Sequence, residues 1–171
     1  MLIDRGHEAM IEHYNITFKF ICDRGVTHEI VRHRIASYAQ ESSRYCNYSK
    51  DKFNNSITII NISTGFKYDF DNPNDLKKYY EWQEAMKDAE RHYMKLLKLG
   101  ATPQEARSVL PNSLKTEIIV TMNLREWRHF FKLRTAKEAH PQMREVAIMA
   151  LNILKEKIPI IFDDIIPYVE E

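Results

Sequence analysis

The chain is short of cysteine, of long apolar runs and of excess charge, and each shortage removes a class of protein. Only Cys22 and Cys46 occur in 171 residues. Two cysteines cannot build a disulfide framework, and neither stands in a Cys-x-x-Cys metal or redox pattern. That usage fits a reducing, cytoplasmic setting. No run of about 18 apolar residues exists, so no membrane span is expected. The opening Met1-Leu2-Ile3-Asp4-Arg5-Gly6-His7-Glu8 holds no apolar stretch of the kind a secretory leader needs. Twenty-five basic residues against 24 acidic ones leave a formal charge of +1. Such balance argues against gripping long nucleic acid through bulk charge. No internal repeat, low-complexity segment or linker interrupts the chain, and its length suits one domain with a real core.

What is present reads as mixed α and β. Residues 7–13 look like the end of a helix. From Asn15 to Cys22, Ile16, Phe18 and Phe20 alternate with Thr17 and Lys19, a strand pattern spoiled only by Ile21. Asp23-Arg24-Gly25 breaks it, and Val26, Ile30 and Val31 then carry a helical period. Residues 45–73 are loop-rich, with one β-rich run over Ile57-Thr58-Ile59-Ile60. A long helix is predicted from Asn74 to Leu99, with Tyr79, Trp82, Met86, Ala89, Tyr93 and Leu96 on its packing face. Gly100 ends it as a C-terminal cap would. Thr102-Pro103-Gln104-Glu105 is a capping box opening the next helix, which Leu110-Pro111-Asn112 stops. Ser113 to Met122 reads as a strand. Asn123 caps a helix from Leu124 to about Leu133. A further helix runs from Pro141 to Lys157, with Val146, Met149, Ala150, Ile153 and Leu154 as its apolar stripe. Phe162 to Val169 could add a short helix, limited by Pro167.

The densest chemistry lies in Arg32-His33-Arg34-Ile35-Ala36-Ser37-Tyr38-Ala39-Gln40-Glu41-Ser42-Ser43-Arg44-Tyr45. Arginine offers a planar fork of donors for phosphate or carboxylate oxygens. Serine hydroxyls and loop N–H groups add short-range donors. So many anion-directed donors in one segment point to a ligand carrying phosphate. The histidines fail the metal test. His7 and His13 lie six apart and His28 and His33 five apart, not the i, i+4 helical pair of a zinc enzyme, and no metal is expected. Cys46 invites a nucleophile reading, but no general base accompanies it locally.

Arg32-His33-Arg34, seven residues, then Ser42 is also a family pattern, and the chain resembles the flavin-dependent thymidylate synthases. Gly6-His7 with Glu12-His13, Tyr45-Cys46-Asn47-Tyr48-Ser49-Lys50, Arg107, Leu110-Pro111, Asn123-Leu124-Arg125 and Lys132-Leu133-Arg134 recur in family order. The resemblance runs from about Asp4 onward. It implies an α+β fold, with a mixed sheet flanked by long helices, over residues 1–171. It implies reductive methylation of dUMP to dTMP, with methylenetetrahydrofolate as carbon source and FAD, reduced by NADPH, as hydride source. It also implies a homotetramer whose sites are shared between subunits.

The resemblance further implies site residues. Glu29, Arg32, Gln40, Glu41, Ser42, Ser43, Arg44, Arg107 and Arg134 would meet dUMP. Ala9, Glu12, Arg32, His33, Arg34, Ile35, Gln40, Asn123, Arg125, His129 and Leu133 would meet FAD. Arg134 would lie against the uracil and stabilise negative charge developing there. Glu29 is expected to turn toward Arg32 or a base N–H. Gln40 stands where many relatives carry an acid, Ser43 where many carry Gly, His129 where some carry Asn, and Ala9 where some carry a hydroxyl residue. Relatives also usually have several dozen residues ahead of the Gly-His block. Two rival readings are a nucleotide- or RNA-binding module, suggested by Tyr38, Tyr45 and Tyr48 among the basic residues, and a shortened, inactive subunit.

Overall fold

A computed structural model describes residues 3–169. Residues 1–2, the start of the stretch read for a leader, and residues 170–171 lie outside the described residues. Two compact units emerge. The first holds residues 3–20, Val26–Ala39 and residues 118–169; the second holds Ile21–Gly25 and Gln40–Glu117. Strands β1 (Asn15–Asp23), β2 (Ser37–Gln40) and β3 (Lys115–Asn123) form a sheet in the order β1-β3-β2. The helices are α1 (Arg24–Ile30), α2 (Pro73–Lys98), α3 (Pro103–Ala106), α4 (Leu124–Arg134) and α5 (Pro141–Lys157). This is the expected α+β class. No described helix is long and apolar enough to cross a membrane.

In the first unit the alternation of β1 survives as burial. Ile16, Phe18 and Phe20 turn inward while Thr17 and Lys19 face out. Leu124 N–H donates to the Tyr14 carbonyl at 3.0 Å, and the Thr17 and Thr121 hydroxyls meet at 2.8 Å. Those two pairings run in opposite directions along the chain, so β1 and β3 are antiparallel. Strand β3 passes into α4 with no loop between. Asn123 makes the joint, its side-chain oxygen accepting the Glu126 N–H at 2.8 Å.

Helix α4 brings Trp127, Phe130 and Phe131 into the core, each fully buried. Trp127 meets Phe18 edge-on at 5.2 Å, stacks on Phe131 at 5.6 Å, and donates its indole N–H to the Ile16 carbonyl. Such ring pairs are worth about 0.5–1.5 kcal/mol beyond burial. Helix α5 is placed as predicted, but its buried stripe is not the expected one. Met143, Ala147, Ala150, Leu151 and Leu154 are buried, whereas Met149 and Ile153 are exposed. Apolar residues surround more than half of this helix, so spacing alone could not choose the face.

Both ends of the unit depart from the sequence reading. Residues 7–13 form only a 3-10 turn over Glu8–Ile11. No helix forms over 162–169. Phe162 and Ile165 are buried there instead, and Tyr168 N–H donates to the Thr135 carbonyl at 2.8 Å. The fully buried Arg128 fastens both ends. Its guanidinium holds Glu8 at 2.9 Å, both Asp164 oxygens at 2.6 and 2.7 Å, and the Ile161 carbonyl. These tertiary bonds replace the local ones a helix would offer.

In the second unit Tyr48, Ile57, Tyr93, Ala106 and Leu114 form the core. Helix α2 starts on an Asn72 cap with Pro73 behind it. It ends in a Schellman motif: Gly100 N–H bonds Leu97 O, Ala101 N–H bonds Leu96 O, and Gly100 sits at φ +93. Tyr93 is buried, and Tyr79, Trp82, Met86, Ala89 and Leu96 are half-buried on the predicted face. The Thr102–Glu105 capping box forms, yet α3 lasts four residues before a 3-10 turn over Arg107–Val109. The run Ile57–Ile60 makes one bridge, Ile59 to Leu114, rather than a strand. Strand β2 lies inside the arginine- and serine-rich segment, for which the sequence reading proposed no strand.

Candidate functional site

Helix α4 presents one face of the first unit to solvent-accessible space. Arg125, His129 and Lys132 stand at i, i+4 and i+7 along it, the spacing that aligns side chains on a helix. With Asn123 and Glu126 they line a cavity of about 600 Å³ that Glu8, Glu12 and Ile35 close. A second cavity of about 360 Å³ shares Ile35, Glu126 and His129 with it. Its other walls are Arg32, His33, Arg34, Leu133 and Arg134. Helix α1 stops at Ile30, so Arg32, His33 and Arg34 lie on the turn beyond it rather than on a helix. Arg32 and Arg34 are exposed, and His33 between them is buried.

His33 sits in a chain of hydrogen bonds. Arg134 Nε donates to His33 Nε2 at 3.1 Å, and His33 Nδ1 faces Glu126 Oε1 at 3.3 Å. Arg134 also donates through Nη1 to Glu29 Oε2 at 2.9 Å and through Nη2 to the Glu29 carbonyl at 3.1 Å. Glu29 therefore turns to Arg134 rather than to Arg32. An arginine one helix away offers two bonds to it, where Arg32 would offer contact across a turn. Burial, then the Arg134 charge, then His129, hold His33 down at about 4 against an ordinary 6.5. Burial pushes the Glu126 carboxyl up.

These shifts predict an acid limb in stability. The neutral form of His33 is favoured in the fold, so its contribution is complete above 6.5. It is lost as pH falls through about 4, because unfolded chains take up the proton first. The loss amounts to about 3 kcal/mol, part of which Glu126 offsets by protonating earlier in the fold. His33→Gln is expected to flatten this limb, seen as a smaller difference between urea midpoints at pH 7 and pH 4 than the wild type shows.

The larger cavity carries both signs of charge. Arg125 bonds Glu12, and Lys132 stands 3.9 Å from Glu8. Arg125 and Lys132 offer cationic donors, Asn123 an amide and His129 a ring nitrogen. Ile35, shared with the smaller cavity, and Leu133 in the smaller cavity are exposed apolar walls. That donor set fits a dinucleotide with a flat ring system: cations for its pyrophosphate, carboxylates for hydroxyls and amines, aliphatic faces for the ring. Ala9 lies exposed on the turn that carries Glu8.

The remaining predicted residues belong to the second unit and are described there alone. Gln40 Nε2 reaches Thr116 Oγ1 at 3.5 Å. Glu41 N–H donates to the Glu117 carbonyl, and the Glu41 carboxylate lies 3.9 Å from Lys115. Ser42 Oγ accepts the Arg44 N–H at 3.4 Å in a tight turn, and the Tyr45 and Cys46 N–H groups bond the Ser42 carbonyl. Ser43 is buried, whereas Arg44 is exposed with its guanidinium 5.5 Å from the Tyr45 ring. Arg107 is exposed on the 3-10 turn after α3. Burial and the Glu41 carboxylate push the Cys46 thiol up, away from the reactive thiolate.

Glu8, Glu126 and Lys132 line the cavities without having been singled out in sequence. Glu126 and Lys132 each lie three positions from His129, so the helical period held the signal. Glu8 had none, since Arg128 places it. Among the described residues, His33, Glu126 and His129 bring ligand-type atoms within 4.8 Å of one another. A cation there would have to displace both bonds of the His33 ring, so the trio reads as a hydrogen-bonded chain.

Residues 1–160 match the family described as thymidylate synthase complementing protein. The flavin-dependent thymidylate synthase of Pyrococcus abyssi is 38% identical over 161 residues, covering 91% of this chain and 61% of the relative. Those of Pyrococcus furiosus and Geobacter sulfurreducens are 36% and 35% identical, covering 99% and 95% of this chain and 64% and 66% of theirs. The chain thus spans about three fifths of the length of the first of these relatives.

Proposed function

The chain belongs to the thymidylate synthase complementing protein family, and from that premise we propose that it acts as a flavin-dependent thymidylate synthase. The reaction is reductive methylation of dUMP to dTMP, with methylenetetrahydrofolate giving the carbon and FAD, reduced at the expense of NADPH, giving the hydride. The observation that carries this reading is the α4 face with its cap: Asn123, Arg125, Leu133 and Arg134, four residues of the family pattern, line two adjoining cavities together with His129. Residues 1–171 would work as one domain of a cytoplasmic homotetramer. Sites shared between subunits would let phosphate and uracil contacts come from different chains.

This chain's residues would do three things. Arg125, Lys132, Asn123 and His129 hold the flavin nucleotide, with Ile35 and Leu133 against its ring. Ser42, Ser43, Arg44 and Arg107 hold the dUMP phosphate, with Arg32, Gln40 and Glu41 beside it. Arg134 sets positive charge against the uracil, which stabilises negative charge on the ring oxygens as it develops. Positioning and electrostatics are then the protein's contribution, since the cofactor carries the hard chemistry.

An absorbance spectrum and FAD titration of purified protein test the reading. Flavin bands, or saturable FAD binding, with dTMP formed from dUMP, methylenetetrahydrofolate and NADPH are expected. A colourless protein that ignores FAD and shifts RNA would replace it with the binding-module reading.

Two variants probe details. Ser42→Ala and Arg44→Ala should each weaken dUMP binding roughly ten- to hundredfold, since a hydrogen bond to a charged group is worth about 1.5–3 kcal/mol. Calorimetry with dUMP reads this directly, and unchanged affinity in both would remove the loop from the phosphate site. Cys46→Ser should keep most turnover, because its thiol is held away from the thiolate. Abolished turnover with normal dUMP and FAD binding would make Cys46 the nucleophile.

A further inference from the structure

We propose that His33 and Glu126 are positioning residues for Arg134: the Glu126 carboxylate holds His33 as its Nδ1–H tautomer, and the bare Nε2 aims the guanidinium by accepting its Nε–H. The inference rests on the proposed role of Arg134 and assigns His33 a task other than meeting the flavin.

The argument is one of donors and acceptors. A guanidinium nitrogen can only donate. Arg134 Nε stands 3.1 Å from His33 Nε2, so that nitrogen must carry no proton. A neutral imidazole then has its proton on Nδ1, where Glu126 Oε1 waits at 3.3 Å. A protonated His33 would face donor against donor and cation against cation. The charged and titratable groups around the ring are Arg134, His129 and Glu126, and Glu126 is the one that meets Nδ1 with an acceptor. The ring is also enclosed by its neighbours. His33 is 4% exposed, with its ring 4.9 Å from that of Phe130 and 5.7 Å from that of His129. Tyr38 donates its hydroxyl to the His33 and Ile30 carbonyls, fixing the turn behind the ring.

The rest of Arg134 completes the geometry. Its bonds to His33 and twice to Glu29 engage three of five N–H groups. One N–H remains on each terminal nitrogen, in a plane that three bonds define. A fixed plane matters because a catalytic group displaced by about 1 Å can cost roughly 100-fold in rate. The carboxylate–imidazole–guanidinium chain thus supplies orientation, while the charge is Arg134's own.

The test compares His33→Gln with His33→Phe. Glutamine offers an amide oxygen that can accept from Arg134, whereas phenylalanine fills the volume and offers no acceptor. Two readouts apply: FAD affinity by fluorescence titration, and kcat and KM for dUMP. Both variants should bind FAD within about twofold of wild type. His33→Phe should lose kcat by tenfold or more, with KM moving less, and His33→Gln should recover most of the loss; these magnitudes are on the order expected for misplaced catalytic groups. Loss of FAD binding in both variants would make His33 a flavin contact and overturn the proposal. Equal damage by both with FAD binding intact, or full turnover in both, would overturn it as well. Nitrogen NMR of the imidazole in the wild-type protein is a readout independent of turnover. A bare Nε2 with protonated Nδ1 is expected, and an Nε2–H tautomer overturns the chain. If the protein makes no dTMP at all, the proposed function falls, and the NMR result still decides the hydrogen-bond chain by itself.

Discussion

Arg134→Ala is expected to lower dTMP formation by about 100- to 1,000-fold under saturating dUMP and folate, the usual cost of removing one preorganised electrostatic group. Two features of the structure support so large an effect. Arg134 ends α4 half-buried, so its charge is less screened than that of an exposed arginine. It is also held by Glu29 and His33 together, which leaves little freedom for a substitute to find the same plane. Lysine should rescue only in part, because a point charge cannot make the Nε bond to His33 and both Glu29 bonds at once. FAD content measured beside turnover separates the roles. A protein that keeps its flavin and loses turnover fits the uracil assignment. Near-normal turnover would move the uracil-activating task to another arginine, with Arg32 and Arg44 the next to test.

Arg128→Met should be the most damaging change to stability outside the aromatic core. Methionine fills similar volume, so the loss is electrostatic rather than a cavity. Arg128 is 2% exposed in its side chain, and it removes three different demands at once: Glu8, Asp164 and the Ile161 carbonyl. Glu8 is four-fifths buried and would be left without its closest cation. Asp164 is half exposed and can hydrate, so it contributes little to the cost. Breaking a buried pair by deleting one partner costs about 3–5 kcal/mol. With one acceptor able to hydrate, about 3 kcal/mol is expected here. The urea midpoint reads it, and Asp164→Asn, removing only the solvated arm, should cost less than about 1 kcal/mol. Equal losses in the two variants would show that the tail, not the buried guanidinium, carries the stability.

Residues whose structure depends on near neighbours were legible in the sequence. The alternation of Ile16, Phe18 and Phe20, the Asn123 cap, the Thr102–Glu105 box and the Gly100 terminus all formed as read, because each rests on bonds or faces within a few residues. Three matters lay beyond that range. The face that α5 buries was decided by what packs on it, since apolar residues surround much of the helix. The ends around Glu8 and Asp164 took irregular forms because Arg128, more than 30 residues from the nearer of them, satisfies their polar groups. Glu29, His33, Glu126 and Arg134 became one hydrogen-bonded chain only when the stretch from Glu29 to His33 met α4. Local hydrogen bonding and period are written in sequence; which distant donor meets which acceptor is fixed by packing, and in this chain that is where the arginine is aimed.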